Sequence, residues 1–159
     1  MSGKTTVCRR PADAVSFWRA HVALPDASDS AEGFWIITLN RERQFVKVFA
    51  PSTRAFGAAQ RFADEVFSEV FLRYAKHFVL IHSRPGATPA PAADDVARVR
   101  ALILAGREKG IHLLDAIIIG QPSDDHPAGC FSFQQLRNFA APVPFGDKAK
   151  NTMTHSKYA

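Results

Sequence analysis

Histidines and carboxylates at three places in the chain could do chemistry. His82 closes an apolar run, Phe78-Val-Leu-Ile-His82, and a proline-laden loop leads from it to Asp94 and Asp95 at the start of a helical pattern. Glu32 stands directly before a second apolar run, Gly33 to Leu39, and His126 follows Asp124 and Asp125 in a polar loop. Imidazole nitrogens and carboxylate oxygens are ordinary zinc donors, and a zinc-bound water becomes a nucleophile at neutral pH. Each residue also has a plainer reading: a core histidine with a satisfied hydrogen bond, a first-turn acid on a helix dipole, a solvated glutamate. His21, His77, His112 and His155 have no nameable partner. Cys8 and Cys130 are the only cysteines and form no CxxC pair, so neither a zinc knuckle nor a disulfide framework is readable. Their scarcity is what a reducing, cytoplasmic setting leads one to expect.

The elements that must position these groups follow from hydrophobic periodicity. Pro11 opens a first helix in which Val15, Trp18 and Val22 recur at helical spacing, ending before Pro25. Gly33 to Leu39 and Gln44 to Phe49 read as a hairpin across the polar turn Asn40-Arg-Glu-Arg. Ala58 to Tyr74 should be a second helix, with Phe62, Val66 and Val70 on one row and Phe67, Phe71 and Tyr74 on the next. Phe78 to His82 is a buried strand. A third helix runs from Ala93 to Lys109 with Val96, Val99 and Ile103 inward and Gly110 as its stop. Ile111 to Ile119 and Gly129 to Gln134 complete the strands. The order α-β-β-α-β-α-β-β predicts one α/β domain, a mixed sheet with helices on both sides. Trp35 and the helical aromatics belong to its core, and Cys130 should be a small buried residue.

Several blocks of sequence resemble the RadC branch of the JAB/MPN (JAMM) metallopeptidases. His82-Ser-Arg-Pro-Gly-Ala-Thr-Pro-Ala-Pro-Ala-Ala-Asp-Asp95 is similar, without a gap, to the signature H-N-H-P-S-G-x-x-x-P-S-x-x-D. Asp64-Glu-Val-Phe-Ser-Glu resembles R-E-V-F-K-E before it. Gly110-Ile-His-Leu-Leu-Asp-Ala-Ile-Ile-Ile-Gly120 resembles G-I-x-L-L-D-H-I-I-I-G, and Cys130-Phe-Ser-Phe the closing Y-S-F strand. Glu32-Gly-Phe-Trp-Ile-Ile-Thr-Leu-Asn40 is similar to E-x-F-W-V-L-x-L-D/N. The resemblance spans Pro11 to Phe139 and implies a JAB/MPN-like, cytidine-deaminase-like fold. It also implies zinc held by two histidines and an aspartate, with Glu32 as the acid/base.

The pattern breaks at the metal. His82 and Asp95 match ligands, but the second histidine is Arg84, a permanently protonated side chain with no lone pair to donate. The family serine is Ala92, and the D-H pair of the next strand is Asp115-Ala116. His82 and Asp95 thus read as vestigial ligands and Glu32 as a vestigial acid/base, with no cofactor expected. Arg84 is expected to replace the metal's charge by hydrogen bonding to Asp95 or Glu32. The alternative is an active zinc peptidase or isopeptidase whose missing ligand comes from elsewhere, such as His126.

With 159 residues, 47% hydrophobic and 22% charged, the chain has the composition of one globular domain. Residues 1–10 read as an extension and 141–159 as a flexible basic tail. The longest apolar runs are too short to span a bilayer, and no secretion signal is readable. A net charge of +5 leaves a nonspecific nucleic-acid module as a third reading, although Lys148, Lys150 and Lys157 place part of that excess in the tail. With the metal pattern broken at Arg84 and Ala92, the chain is expected to be an inactive relative working through a protein partner, in the DNA-repair or mobile-element context that the family resemblance suggests.

Overall fold

A computed structural model describes residues 6–22, 32–51, 59–68 and 74–136. Its elements in chain order are α1 (Pro11–His21), β1 (Gly33–Leu39), β2 (Phe45–Phe49), α2 (Ala59–Ser68), β3 (His77–Ser83), α3 (Ala93–Lys109), β4 (His112–Ile119) and β5 (Cys130–Ser132). The strands form one mixed sheet in the order β2-β1-β3-β4-β5. β3 and β4 are parallel and joined across α3, and the other pairs are antiparallel.

Strand alternation divides the core between two faces. Phe34, Ile36, Phe78, Leu80 and Ile118 face α2 and α3, where Phe62, Val66, Val99 and Leu102 meet them. Ile37, Leu39, Val79, Ile81 and Ile117 face α1, which supplies Ala14, Val15 and Trp18. The α/β sandwich expected from the element order is therefore the observed fold. Trp35 belongs to the second face only as a partly buried residue, edge-on to Trp18 with ring centroids 5.3 Å apart.

Several expected boundaries move, each for a local reason. On α3 the buried stripe is Asp95, Arg98, Val99, Leu102 and Gly106, while Val96 and Ile103 are only partly buried. The helix is thus rotated so that polar residues at its start face inward. Gly106 permits this close approach, since a Cβ there would stand 2.3 Å from the Ile111 carbonyl oxygen. The second helix is described only to Ser68; Val70 and Phe71 lie outside the described residues, and Tyr74, expected in the apolar stripe, is 86% exposed. The last strand is shorter than Gly129 to Gln134. After Ser132 the chain turns into a 3-10 helix, Phe133–Gln135, because Phe133 packs into the core while the Gln134 N–H donates to Asp115.

Part of the N-terminal extension also packs. Val7 bridges Gln44 beside β2, and Cys8 is buried on the α1 face, where burial pushes its thiol up to about 11. Residues 141–159, read as a tail, lie outside the described residues. Among the described residues no helix is long and apolar enough to cross a membrane.

Candidate functional site

The C-terminal end of β3 carries His82 into a cluster drawn from four parts of the chain. Pairing across the sheet sets one row, Phe34 on β1, His82 on β3, Ile118 on β4 and Phe131 on β5. Apart from His82, every member of that row belongs to the core facing α2 and α3. The imidazole is therefore 3% exposed and stacks on Phe34, with ring centroids 4.3 Å apart. A buried imidazole needs partners for both nitrogens. Nε2 lies 2.6 Å from Glu32 Oε1, and Nδ1 lies 3.1 Å from Asp95 Oδ1.

Asp95 is the hub. It sits at the third position of α3, where a carboxylate complements the helix N-terminus, and its Oδ2 accepts the Ala92 N–H at 2.7 Å. Arg84 Nη2 donates to the same oxygen, and its Nη1 donates to the Ala90 carbonyl at 2.9 Å. Arg98, one turn along α3, donates to Oδ1 at 3.1 Å. Burial on its own would push the Asp95 carboxyl upward. The hydrogen bonds from His82, the Ala92 N–H and Arg84, together with the charge of Arg84, outweigh burial and hold the group well below the ordinary carboxylate range. The stability that Asp95 contributes is thus present above its unfolded-state pKa and fades only as acid protonates the folded carboxylate.

The loop that delivers Arg84 is pinned to the end of β4. The Arg84 N–H donates to Ile119 O at 2.7 Å, the Gln121 N–H to Ala87 O at 2.7 Å, and the Gln121 side chain to Pro85 O at 2.5 Å. Gly120 admits the loop, because a Cβ there would lie 2.4 Å from Ala87 O. The guanidinium is thus held from both sides, by its own backbone and by Asp95.

These residues do not fit a zinc ion. Glu32 and Asp95 flank opposite nitrogens of His82, so the three donors do not converge on one point. Among the described residues no group of three or more His, Cys, Asp or Glu could hold a metal. The carboxylate that would complete such a site already accepts from two guanidinium groups, whose charge opposes a dication.

Arg98 is the residue that sequence reasoning missed. It is 8% exposed, with its guanidinium carbon 5.1 Å from the Phe34 ring centroid. The available signal was its position three residues after Asp95, the spacing of a helical ion pair.

Ala92 and Asp115 were further expected participants. Ala92 is the N-cap of α3, with φ −96° and ψ 170°, and makes no side-chain cap bond. Asp95 returns a bond to its backbone, but a methyl group cannot reciprocate. Replacing Ala92 with serine should therefore stabilise the fold by about 1 kcal/mol, read as a higher midpoint in urea. Asp115 is not in the cluster. It pairs with Val79 and faces α1, bonded to the Ser132 hydroxyl at 2.5 Å and to the N–H groups of Ala116 and Gln134 at 2.8 and 3.0 Å.

Burial pushes the Asp115 carboxyl up to about 6 despite those bonds. Its folded pKa lies above its unfolded one, so the native state holds a proton that the unfolded chain releases. Stability therefore falls as pH rises from about 4 to 6, by roughly 3 kcal/mol if the whole shift is realised. Asp115→Asn should abolish that fall, leaving the variant more stable than the parent at pH 7 and equal to it near pH 4. Urea titrations at the two pH values measure the difference, and equal stabilities at pH 7 would refute the burial argument.

His126 is also apart from the cluster. Its ring lies edge-on to Phe131, with centroids 5.6 Å apart, and its backbone closes a turn with Ser123. Phe131 is two strand spacings from His82, about 10 Å, with Ile118 between them. Among the described residues, no group of three or more metal-ligating side chains includes His126.

Comparison with known proteins matches the same stretch of chain. A family model described as RadC-like JAB domain covers residues 8–138. A UPF0758 protein of Symbiobacterium thermophilum is 35% identical over 92 residues, which make up 58% of this chain and 39% of the relative. A UPF0758 protein of Moorella thermoacetica is 30% identical over 115 residues, 72% of this chain and 48% of its own length. One of Bacillus licheniformis is 32% identical over 114 residues, 72% and 49% respectively. The chain thus spans at most about half the length of these relatives.

Proposed function

Because the chain belongs to the RadC-like JAB domain family, we propose that it is a non-catalytic member, a pseudo-metallopeptidase that works by binding a protein partner. One observation carries the reading: the Asp95 carboxylate is bonded to Arg84 and Arg98, cations occupying the surroundings in which the fold would otherwise present it to zinc. Glu32 retains a half-exposed side chain, but its near oxygen is committed to His82. General-base chemistry needs an activated nucleophile beside that carboxylate, and the Arg84 and Arg98 charges on Asp95 oppose the cation that would lower a water's pKa.

The same charge arrangement supports a structural role for the former centre. Two guanidiniums meet Asp95 and His82 lies between the two acids, so the strand end is held together by the chain's own side chains. The DNA-repair or mobile-element setting is carried over from the family resemblance, as is the protein partner.

Peptide and isopeptide hydrolysis assays with added zinc test the reading. The expected result is turnover no greater than that of the Glu32→Ala variant. Zinc-dependent turnover that disappears with Glu32→Ala would overturn it.

A further inference from the structure

At the opposite end of the sheet, two histidines outside the cluster stand side by side. His77 opens β3 and His112 opens β4, and the two are register partners in parallel strands. Directly paired residues project to the same face, and the partner of His77 on β1 is Leu39, part of the core facing α1. His77 and His82 are five residues apart on β3, about 17 Å, so this pair is separate from the cluster around Asp95.

The separation of the rings is short enough for two imidazoles to share an ion. Their centroids are 5.8 Å apart, with the planes inclined by 33°. Imidazole nitrogens ligate zinc at about 2.0–2.1 Å, which puts each centroid a little over 3 Å from the ion and limits two ligating rings to about 6.4 Å between centroids. The observed separation lies inside that limit. His77 Nδ1, moreover, is buried without a hydrogen-bond partner, which leaves a polar atom whose pairing the fold does not supply.

We propose that His77 and His112 form a two-imidazole site for a late first-row divalent cation, zinc or copper, with water completing the coordination. Imidazole suits these ions, and copper binds such donors most strongly of the divalent series. Two donors make a weaker site than three or four, and the charge of Arg43, which acts on His77, weakens it further. The ion would clip the starts of β3 and β4 together.

Titrating untagged protein with Cu2+ alone, followed by calorimetry and electron paramagnetic resonance, tests the site. One ion per chain is expected to bind with nitrogen hyperfine structure from two imidazoles, at least tenfold more tightly than in His77→Ala or His112→Ala. His112 is exposed, so His112→Ala keeps the fold while removing a ligand. A His21→Ala/His126→Ala variant should retain the binding. Unchanged affinity in His112→Ala, or loss in the His21/His126 variant instead, would overturn the assignment.

Discussion

Replacing Asp95 with alanine is expected to cost about 3–5 kcal/mol of folding stability at pH 7, the range for breaking a buried ion pair by removing one partner. The size follows from what is left behind. Asp95 is 4% exposed and accepts from Arg84, Arg98 and the Ala92 N–H, besides facing His82. Truncation strands a buried guanidinium on α3, a second one beside it and an uncapped helix N-terminus. Arg98 can turn to little solvent, because its side chain is only 10% exposed and lies over the Phe34 ring. Urea denaturation gives the magnitude, and the double variant Asp95→Ala/Arg98→Leu should recover part of the loss, since it removes the stranded charge as well. A loss below about 1 kcal/mol would mean that the carboxylate is solvated and that the network contributes little.

The second large effect concerns zinc. Arg84→His restores the residue type that the family pattern has at that position, yet Arg98 remains bonded to Asp95 Oδ1. A unit charge about 4 Å from a dication opposes it by about 8 kcal/mol at an effective dielectric of 20, and a tenfold change in affinity takes about 1.4 kcal/mol. Even with most of that repulsion screened, Arg84→His/Arg98→Leu should bind zinc at least about a hundredfold more tightly than Arg84→His alone. Competition against a fluorescent chelator measures both affinities, with His82→Ala added to show that the gain belongs to this site. Equal affinities in the single and double variants would remove Arg98 from the account.

How the sequence relates to the fold can be judged at particular residues. The strand ending at His82, the helix beginning near Asp95 and the sandwich itself were legible, because period-2 and period-3.6 apolar patterns are local and strong. That Arg84 has no lone pair to offer a metal was legible from its chemistry alone. Which acid Arg84 would choose was not, since Asp95 and Glu32 were equally available until the pairing of Phe34 with His82 placed Glu32 on the imidazole's far nitrogen. Arg98 was hidden for a related reason. An arginine on a helix ordinarily lies on the solvated face, and only the rotation of α3 that buries Asp95 turns Arg98 inward. Asp115 sat in a matching motif block, yet the register shift between Phe78 and Val79 aligns it with Val79, on the face toward α1. Tyr74 and the end of β5 departed from their patterns where the chain leaves regular structure, which periodicity does not report.

Anomalous diffraction at the zinc absorption edge, from crystals of untagged protein grown with added zinc, addresses the pseudoenzyme reading most directly. The expected map has no anomalous peak within ligand distance of His82 and Asp95, and the Arg84 guanidinium rests on the carboxylate. A fully occupied zinc coordinated by His82 and Asp95, with Arg84 displaced, would contradict the account at its base.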